Sequence, residues 1–485
     1  MKGIGRLLTI ALLLPVLVHA QTETATLTTA KGFTLDDCIE YAINNAVGVK
    51  NARLDQEIAD ARVRETIGIG LPQIDGNVSL DHNKTLRRFY ASKQTAFGFS
   101  GLPNSEYPNF LPGVGDNDVV ASQNFFQLKN NGDAGLSVNQ LIFNGSYIVG
   151  LQASQAYKDL AIKNYNQTEE ELILNVSKAY YNLLINKERV ELYESNISRI
   201  DTLYSDTRAM YENGFAEKID VDRIKVSLNN LKTERDNFVR LVDLSERLLK
   251  FQMNYPLEED LEIAETMSTS ILGAEIEVEE DWDYIQRPDY QVLLANKRLQ
   301  ELNIKNKYAE ALPVISAYAN AGYSTQSPNF GGLFSTNSNF EEMEDIGIGP
   351  DKWYGYSTVG LRLSWSLFTG LQRANQIQQE KLALLKVENS FNQLESSIEV
   401  DIQQSRINYD DARNRLEVQK ENKALAQEIF EVATKKYSNG VGSNLEVIEA
   451  ENSLKEADIN YYNTLYEAVI AQLELKKALG LLNQQ

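Results

Sequence analysis

Apolar positions recur along the chain at two different periods, and the change from one to the other marks out its elements. Between residues 371 and 439 there is neither glycine nor proline, and Leu384, Val387, Phe391, Leu394, Ile398, Ile402, Ser405, Tyr409, Ala412 and Leu416 follow one another in steps of three and four. That spacing keeps one face of an α-helix apolar or small, with Gln, Glu, Asn, Lys and Arg at most other positions. Residues 146–213 interrupt the same kind of pattern with Gly150 alone. Without helix breakers, each stretch is predicted as one helix of nearly 70 residues, roughly 100 Å long at the α-helical rise. The stripe is narrow, as in coiled coils, so such a helix is expected to pack along one seam and meet water elsewhere.

Period two appears in four shorter segments. Leu71-Pro72 opens one in which Ile74, Gly76, Val78 and Leu80 alternate with Asp75, Asn77, Ser79 and Asp81; Leu312-Pro313 opens another in which Ile315, Ala317, Ala319, Ala321 and Tyr323 alternate with Ser316, Tyr318 and Asn320. Both patterns predict strands. A polar loop follows each (82–132 and 324–355), and then a second strand. Gly135-Leu136-Ser137-Val138 through Ile142-Phe143-Asn144-Gly145 matches Gly360-Leu361-Arg362-Leu363 through Leu367-Phe368-Thr369-Gly370, with the glycines ten apart in both. In the later copy Leu361, Leu363, Trp365 and Leu367 form the apolar face.

A third pair of blocks interrupts the long helices. Tyr211-Glu212-Asn213-Gly214 with Asp220-Val221 and Ser227-Leu228 matches Tyr437-Ser438-Asn439-Gly440 with Glu446-Val447 and Ser453-Leu454. An Asn-Gly pair supplies the left-handed residue that stops a helix. The chain is therefore expected to hold two copies of one unit, offset by about 225 to 241 residues: helix, strand, loop, strand, long helix, turn, helix. The expected boundaries are 21–255 and 288–485, joined by an acidic segment at 256–287.

Composition narrows the chemistry. Residues 1–20 (MKGIGRLLTIALLLPVLVHA) combine Lys2 and Arg6 with an apolar run and a small-residue exit, the form of a cleaved secretory signal. The remainder carries 45 basic against 68 acidic residues, a net charge of −23, which argues against nucleic acid as a partner. It keeps one histidine, His82, and one cysteine, Cys38, so a Ser-His-Asp triad, a His-rich metal site and a disulfide framework have no support. No phosphate-cradling glycine motif occurs, and neither enzymatic activity nor a cofactor is expected.

No later run of 18 apolar residues exists, so a membrane could be crossed only as a β-barrel. Four strands cannot close a barrel, which needs about eight; three chains would contribute twelve. A secreted coiled-coil protein would explain the helices but leave the matched strands without a purpose. An exported carboxylate hydrolase would need two acids held in a cleft, and nothing beyond abundant Asp and Glu points to one.

The duplicated strands and helices, the Leu-Pro strand openings, the Ile-Phe-Asn-Gly and Leu-Phe-Thr-Gly strand exits and the Tyr-x-Asn-Gly turns resemble the TolC-like outer-membrane efflux proteins, across about residues 33–482. The resemblance implies a homotrimer, with a twelve-stranded barrel in outer-membrane lipid continued by a periplasmic α-helical barrel. It further implies a passive exit duct in efflux or type I secretion, docked through its tip to a periplasmic adaptor and an inner-membrane transporter of RND, ABC or MFS type. By the same resemblance, Glu446 and Glu449 would form acidic rings at the tip constriction, and Asn213, Gly214, Asn439 and Gly440 would be the adaptor-facing turns. Tyr437 and Asp220 match two members of a closing latch. The family's arginine in that latch corresponds here to Gly442, so the latch is expected either to be weaker or to be completed by another residue, with Lys218 and Arg223 on the opposite hairpin as candidates.

Overall fold

A computed structural model gives the fold and describes residues 32–92, 113–115, 117–123, 126–267, 272, 276, 282–343, 345 and 347–482. The signal expected at 1–20 lies outside the described residues. In chain order the elements are α1 (Leu35–Asn45), α2 (Val47–Ile69), β1 (Gln73–His82), β2 (Arg88–Ser92), β3 (Val119–Gln123), β4 (Asn130–Phe143), α3 (Gly145–Glu212), α4 (Lys218–Met253), α5 (Pro288–Ala309), β5 (Val314–Ser327), β6 (Tyr354–Ser364), α6 (Gln372–Ser438) and α7 (Asn444–Ala478).

The stretches without helix breakers become α3 and α6, single helices of 68 and 67 residues. Local chemistry sets where helices begin. Thr34 and Asp37 form a reciprocal capping box at α1, and Asn144 Oδ1 accepts from the backbone N–H groups of Ser146 and Tyr147 at α3. Pro288 opens α5, where its missing N–H costs nothing.

β1, β4, β5 and β6 form one antiparallel sheet in the order β1-β4-β5-β6, so the two halves of the chain join at β4–β5. Two details differ from the sequence pattern. The loop at 82–132 contains a separate hairpin of β2 and β3, with Arg88 opposite Gln123. And β6 ends at Ser364, leaving Trp365 and Leu367 beyond the strand. Ser364 pairs with Val314, and the next partner in line would be Pro313, which has no N–H to extend the ladder.

The helices form two hairpins, α3–α4 and α6–α7, packed against each other. The main core gathers α1, α3, α4 and α7 around Cys38, Val176, Tyr180, Leu249, Met253 and Val469. The acidic segment after α4 packs onto it: Leu261 and Met267 are buried, and Trp282 Nε1 donates to the Leu479 carbonyl at 3.0 Å. Arg287, also buried, donates to Asp401 at 2.7 Å and to the Ala478 carbonyl at 3.3 Å, fastening the start of α5 to α6 and α7.

The predicted seam of α6 is buried at Phe391, Ile398, Ser405, Tyr409, Ala412 and Leu416. Most of the rest of the helix is exposed, as one seam with water elsewhere requires, but that exposed surface is not uniformly polar. Val400, Ile407, Val418, Leu425, Ile429 and Val432 form a second apolar stripe on α6 that the chain leaves exposed. Val47, Leu54, Ile58 and Ile69 do the same on α2. Steps of 4, 7 and 11 residues separate most of these side chains, the spacings at which a helix returns to one face.

Candidate functional site

Two regions carry the candidate chemistry: the sheet and the paired turns at the far ends of the hairpins. In the sheet, cross-strand register sorts residues by face, because directly opposed residues project to the same side. Ile74, Gly76 and Val78 lie opposite Val138, Leu136 and Ala134; these continue to Ala319, Ala321 and Tyr323 on β5, and Ala317 and Ile315 lie opposite Leu361 and Leu363 on β6. One face is thus apolar across all four strands. It is uncovered in the single chain, where Val78 is 75%, Val359 83% and Leu361 75% exposed.

The reverse face holds Asp75, Asn77, Asp133, Ser137, Tyr318, Asn320 and Arg362. The Tyr356 hydroxyl donates to Asp133 at 3.0 Å, and the Arg362 guanidinium lies 5.3 Å over the Tyr318 ring. Beyond β6, Trp365 keeps an exposed ring while its Nε1 donates to the Ala311 carbonyl at 3.0 Å, and Leu367 is exposed. Among the described residues no helix is long and apolar enough to cross a membrane.

The two turns, 213–217 and 439–443, repeat the same helix-stopping bonds and differ in how the next helix is capped. Asn213 Nδ2 donates to the Ala209 carbonyl and Asn439 Nδ2 to the Lys435 carbonyl, both at 2.7 Å. Gly214 and Gly440 adopt φ of +81° and +73°, and the next residues donate back across the helix end, Phe215 to Met210 and Val441 to Lys436. A Cβ at either glycine would meet nothing within 4 Å. Gly440→Ala is therefore expected to cost about 1 kcal/mol through the left-handed backbone alone. Hydrogen exchange at residues 436–446 should show this as faster local opening while the main core stays protected.

Beside Gly440, Ser443 Oγ accepts from the Glu446 N–H at 3.2 Å and starts α7. Glu446 and Glu449 are exposed one turn apart, in a groove whose opposite wall on α6 carries Glu428, Ile429, Val432 and Lys436. Neither glutamate makes an ion pair among the described residues. A second groove between α4 and α7 is lined by Ile219, Asp222, Arg223, Val226, Leu445 and Ile448.

Tyr437 and Asp220 are not brought together within the chain. The Tyr437 hydroxyl pairs with the Thr207 hydroxyl of α3 at 3.1 Å. Asp220 instead accepts from the Glu217 N–H at 3.4 Å as part of the α4 capping box, with Arg223 NH1 at 3.8 Å. Of the two basic substitutes, Arg223 is thus the one beside Asp220. Gly442 leaves no room for a side chain: a Cβ there would lie 2.9 Å from Lys436 Cβ and 3.0 Å from the Tyr437 nitrogen.

Further along α7, Glu451 is 2% exposed, and burial pushes its carboxyl up to about 7. Thr207 and Glu451 carry no signal in the sequence, because nothing in a helical pattern says which polar position faces a second hairpin.

Comparison with known proteins agrees with this geometry. A family profile described as "Outer membrane efflux protein" matches residues 38–240 and 285–481. Outer membrane protein TolC of Vibrio cholerae is 21% identical over 357 residues, 73% of this chain and 77% of the relative. Crystal structures of CusC superpose with a TM-score of 0.70 at 14% identity, covering 94% of this chain and 95% of that one. The outer membrane protein VceC of Vibrio cholerae gives 0.66 at 16%, covering 92% and 96%. At such identities the structural likeness establishes the fold.

Proposed function

Since the chain belongs to the outer membrane efflux protein family, and its place is the outer membrane, we propose that three copies assemble into an exit duct. The observation that carries this is a sheet sorted into an apolar and a polar face whose edge strands, β1 and β6, each leave their outer margin unpaired among the described residues. In lipid each unpaired backbone group costs several kcal/mol. Pairing β6 of one copy with β1 of the next removes that cost, and three copies supply twelve strands.

In such a barrel the apolar face meets lipid and the face with Asp75, Asp133 and Arg362 lines the water-filled interior. Leu361 and Leu363 are then lipid-facing wall. Trp365 and Leu367 sit at the boundary between barrel and helices, where an indole with an exposed ring and a bonded N–H suits an interface. The exposed stripes of α2 and α6 become contacts in a helical barrel through the periplasm, because a helix inside a closed ring has neighbours on two sides. The units 21–255 and 288–485 each contribute two strands and one hairpin.

At the far tip, Glu446 and Glu449 from three copies place six carboxylates around the opening. Crowded like charges attract cations and favour their passage. The turns at Asn213-Gly214 and Asn439-Gly440, with the apolar grooves beside them, present the surface for a periplasmic adaptor, which connects the duct to an energised inner-membrane transporter. Closure is held in part by Tyr437 on Thr207, while the half-exposed Arg223 can reach a neighbouring copy.

Outer-membrane fractions extracted in mild detergent should yield a band of three chains that collapses to one on boiling. A water-soluble single chain after the same extraction would contradict the proposal.

A further inference from the structure

Between the turns and the main core, α7 buries a carboxylate that nothing hydrogen-bonds. Both carboxylate oxygens of Glu451 lack a hydrogen-bond partner. The nearest cation is Arg199 of α3, whose Nε lies 3.6 Å from Oε2, beyond hydrogen-bond length. The terminal nitrogens of Arg199 donate to Ser195 at 3.2 Å and to Asn196, and its guanidinium lies 5.5 Å over the Phe430 ring of α6, while the Nε that faces Glu451 is likewise buried without a hydrogen-bond partner. On α7 itself Lys455 is one turn away and Asp458 two turns away, the latter held by Lys423 of α6 at 3.0 Å. From α4, Ile224, Leu228 and Leu231 complete the apolar cluster that contains Glu451's neighbour Ala450.

This carboxylate sits where the two hairpins meet, on the helix that carries Glu446 and Glu449. We propose that α7 can part from α3 to widen the tip and that this parting is coupled to loss of a proton from Glu451, with Arg199 as the positioning residue that draws α7 back. The inference presupposes the duct proposed above.

Burial raises the Glu451 carboxyl to about 7, with Arg199 opposing the rise and Asp458 adding to it. The packed arrangement therefore holds the proton, whereas a carboxyl released into water titrates at the ordinary value near 4.5. The open arrangement is favoured progressively as pH rises from about 4.5 to about 7 and gains nothing further above that; acid favours closure. Full exposure of the group on opening would raise the open-to-closed ratio on the order of tenfold to a hundredfold between pH 5 and 8.

The test is a planar-bilayer titration of the assembled protein carrying Glu446→Gln and Glu449→Gln, so that the rings themselves do not titrate. The open fraction should rise from pH 5 to 8. Adding Glu451→Gln should hold it at its acid level throughout, while Arg199→Lys should keep a titration with a displaced midpoint. Hydrogen exchange over residues 447–458, corrected for intrinsic rates, should lose protection with pH in the background protein and stay flat with Glu451→Gln. An unchanged titration and an unchanged exchange profile in Glu451→Gln overturn the coupling but leave the duct intact. A preparation that never conducts contradicts the duct itself.

Discussion

Replacing Leu361 by arginine is expected to prevent recovery of the heat-modifiable assembly from the outer membrane. Leu361 projects with Val359 and Leu363 on β6, opposite Ala317 on β5, from a face that is apolar across four strands. An arginine on the lipid side of a barrel costs about 2–4 kcal/mol near the bilayer centre, and the proposed assembly of three copies would repeat that cost threefold. Thr358→Arg provides the control. It lies three residues away, but register places it opposite Asn320 on the polar face, so a charge there should be tolerated and should alter conductance rather than yield. Comparison of trimer recovery for the two variants decides the orientation of the sheet. Equal losses would mean that neither face is distinguished by its solvent.

The second large effect is expected at the tip. Glu446→Ala with Glu449→Ala should bring the ratio of cation to anion permeability close to that of free diffusion, and should weaken block by divalent or trivalent cations by about tenfold or more. Both side chains are exposed and unpaired among the described residues, and Lys436 across the groove is the nearby opposite charge. Their fields are therefore turned outward rather than spent within the chain. In the proposed trimer the double variant would remove six carboxylates from the opening and leave little to sort ions there. Ion selectivity in planar bilayers measures this directly, and a double variant with unchanged selectivity would place the constriction elsewhere.

Much of the scaffold was legible in the sequence because its signals are local. The absence of glycine and proline through 371–439 foretells α6, and the Asn-Gly pairs foretell turns whose helix-stopping hydrogen bonds are duplicated. Alternation in four segments foretells strands that share one sheet. What stayed hidden depends on neighbours. The second apolar stripe of α6 is diluted among Glu, Gln and Asn and becomes visible once the first seam is buried. The strand end at Ser364 is set by Pro313 on another strand, although alternation continues through Leu367.

The tip shows the same division. Glu446 and Glu449, assigned by resemblance, lie exposed on the first turns of α7, whereas the hydrogen-bond partner of Tyr437 could not be read from the sequence. The expected Asp220 is taken up in capping its own helix, and Thr207, 230 residues away in sequence, occupies the Tyr437 hydroxyl. Gly442 stands where a side chain would strike Lys436, so the space that excludes an arginine is itself a property of the turn.

Cross-linking of the two sheet margins addresses the central claim most directly. Cysteines placed one on β1 at Asn77 or its strand neighbours and one on β6 at Thr358 or its neighbours can be oxidised in intact membranes; the sole native cysteine, Cys38, is buried. A shared barrel predicts covalent products that stop at three chains for the pairs in register. Products confined to single chains, or a ladder that runs on past three, would contradict it.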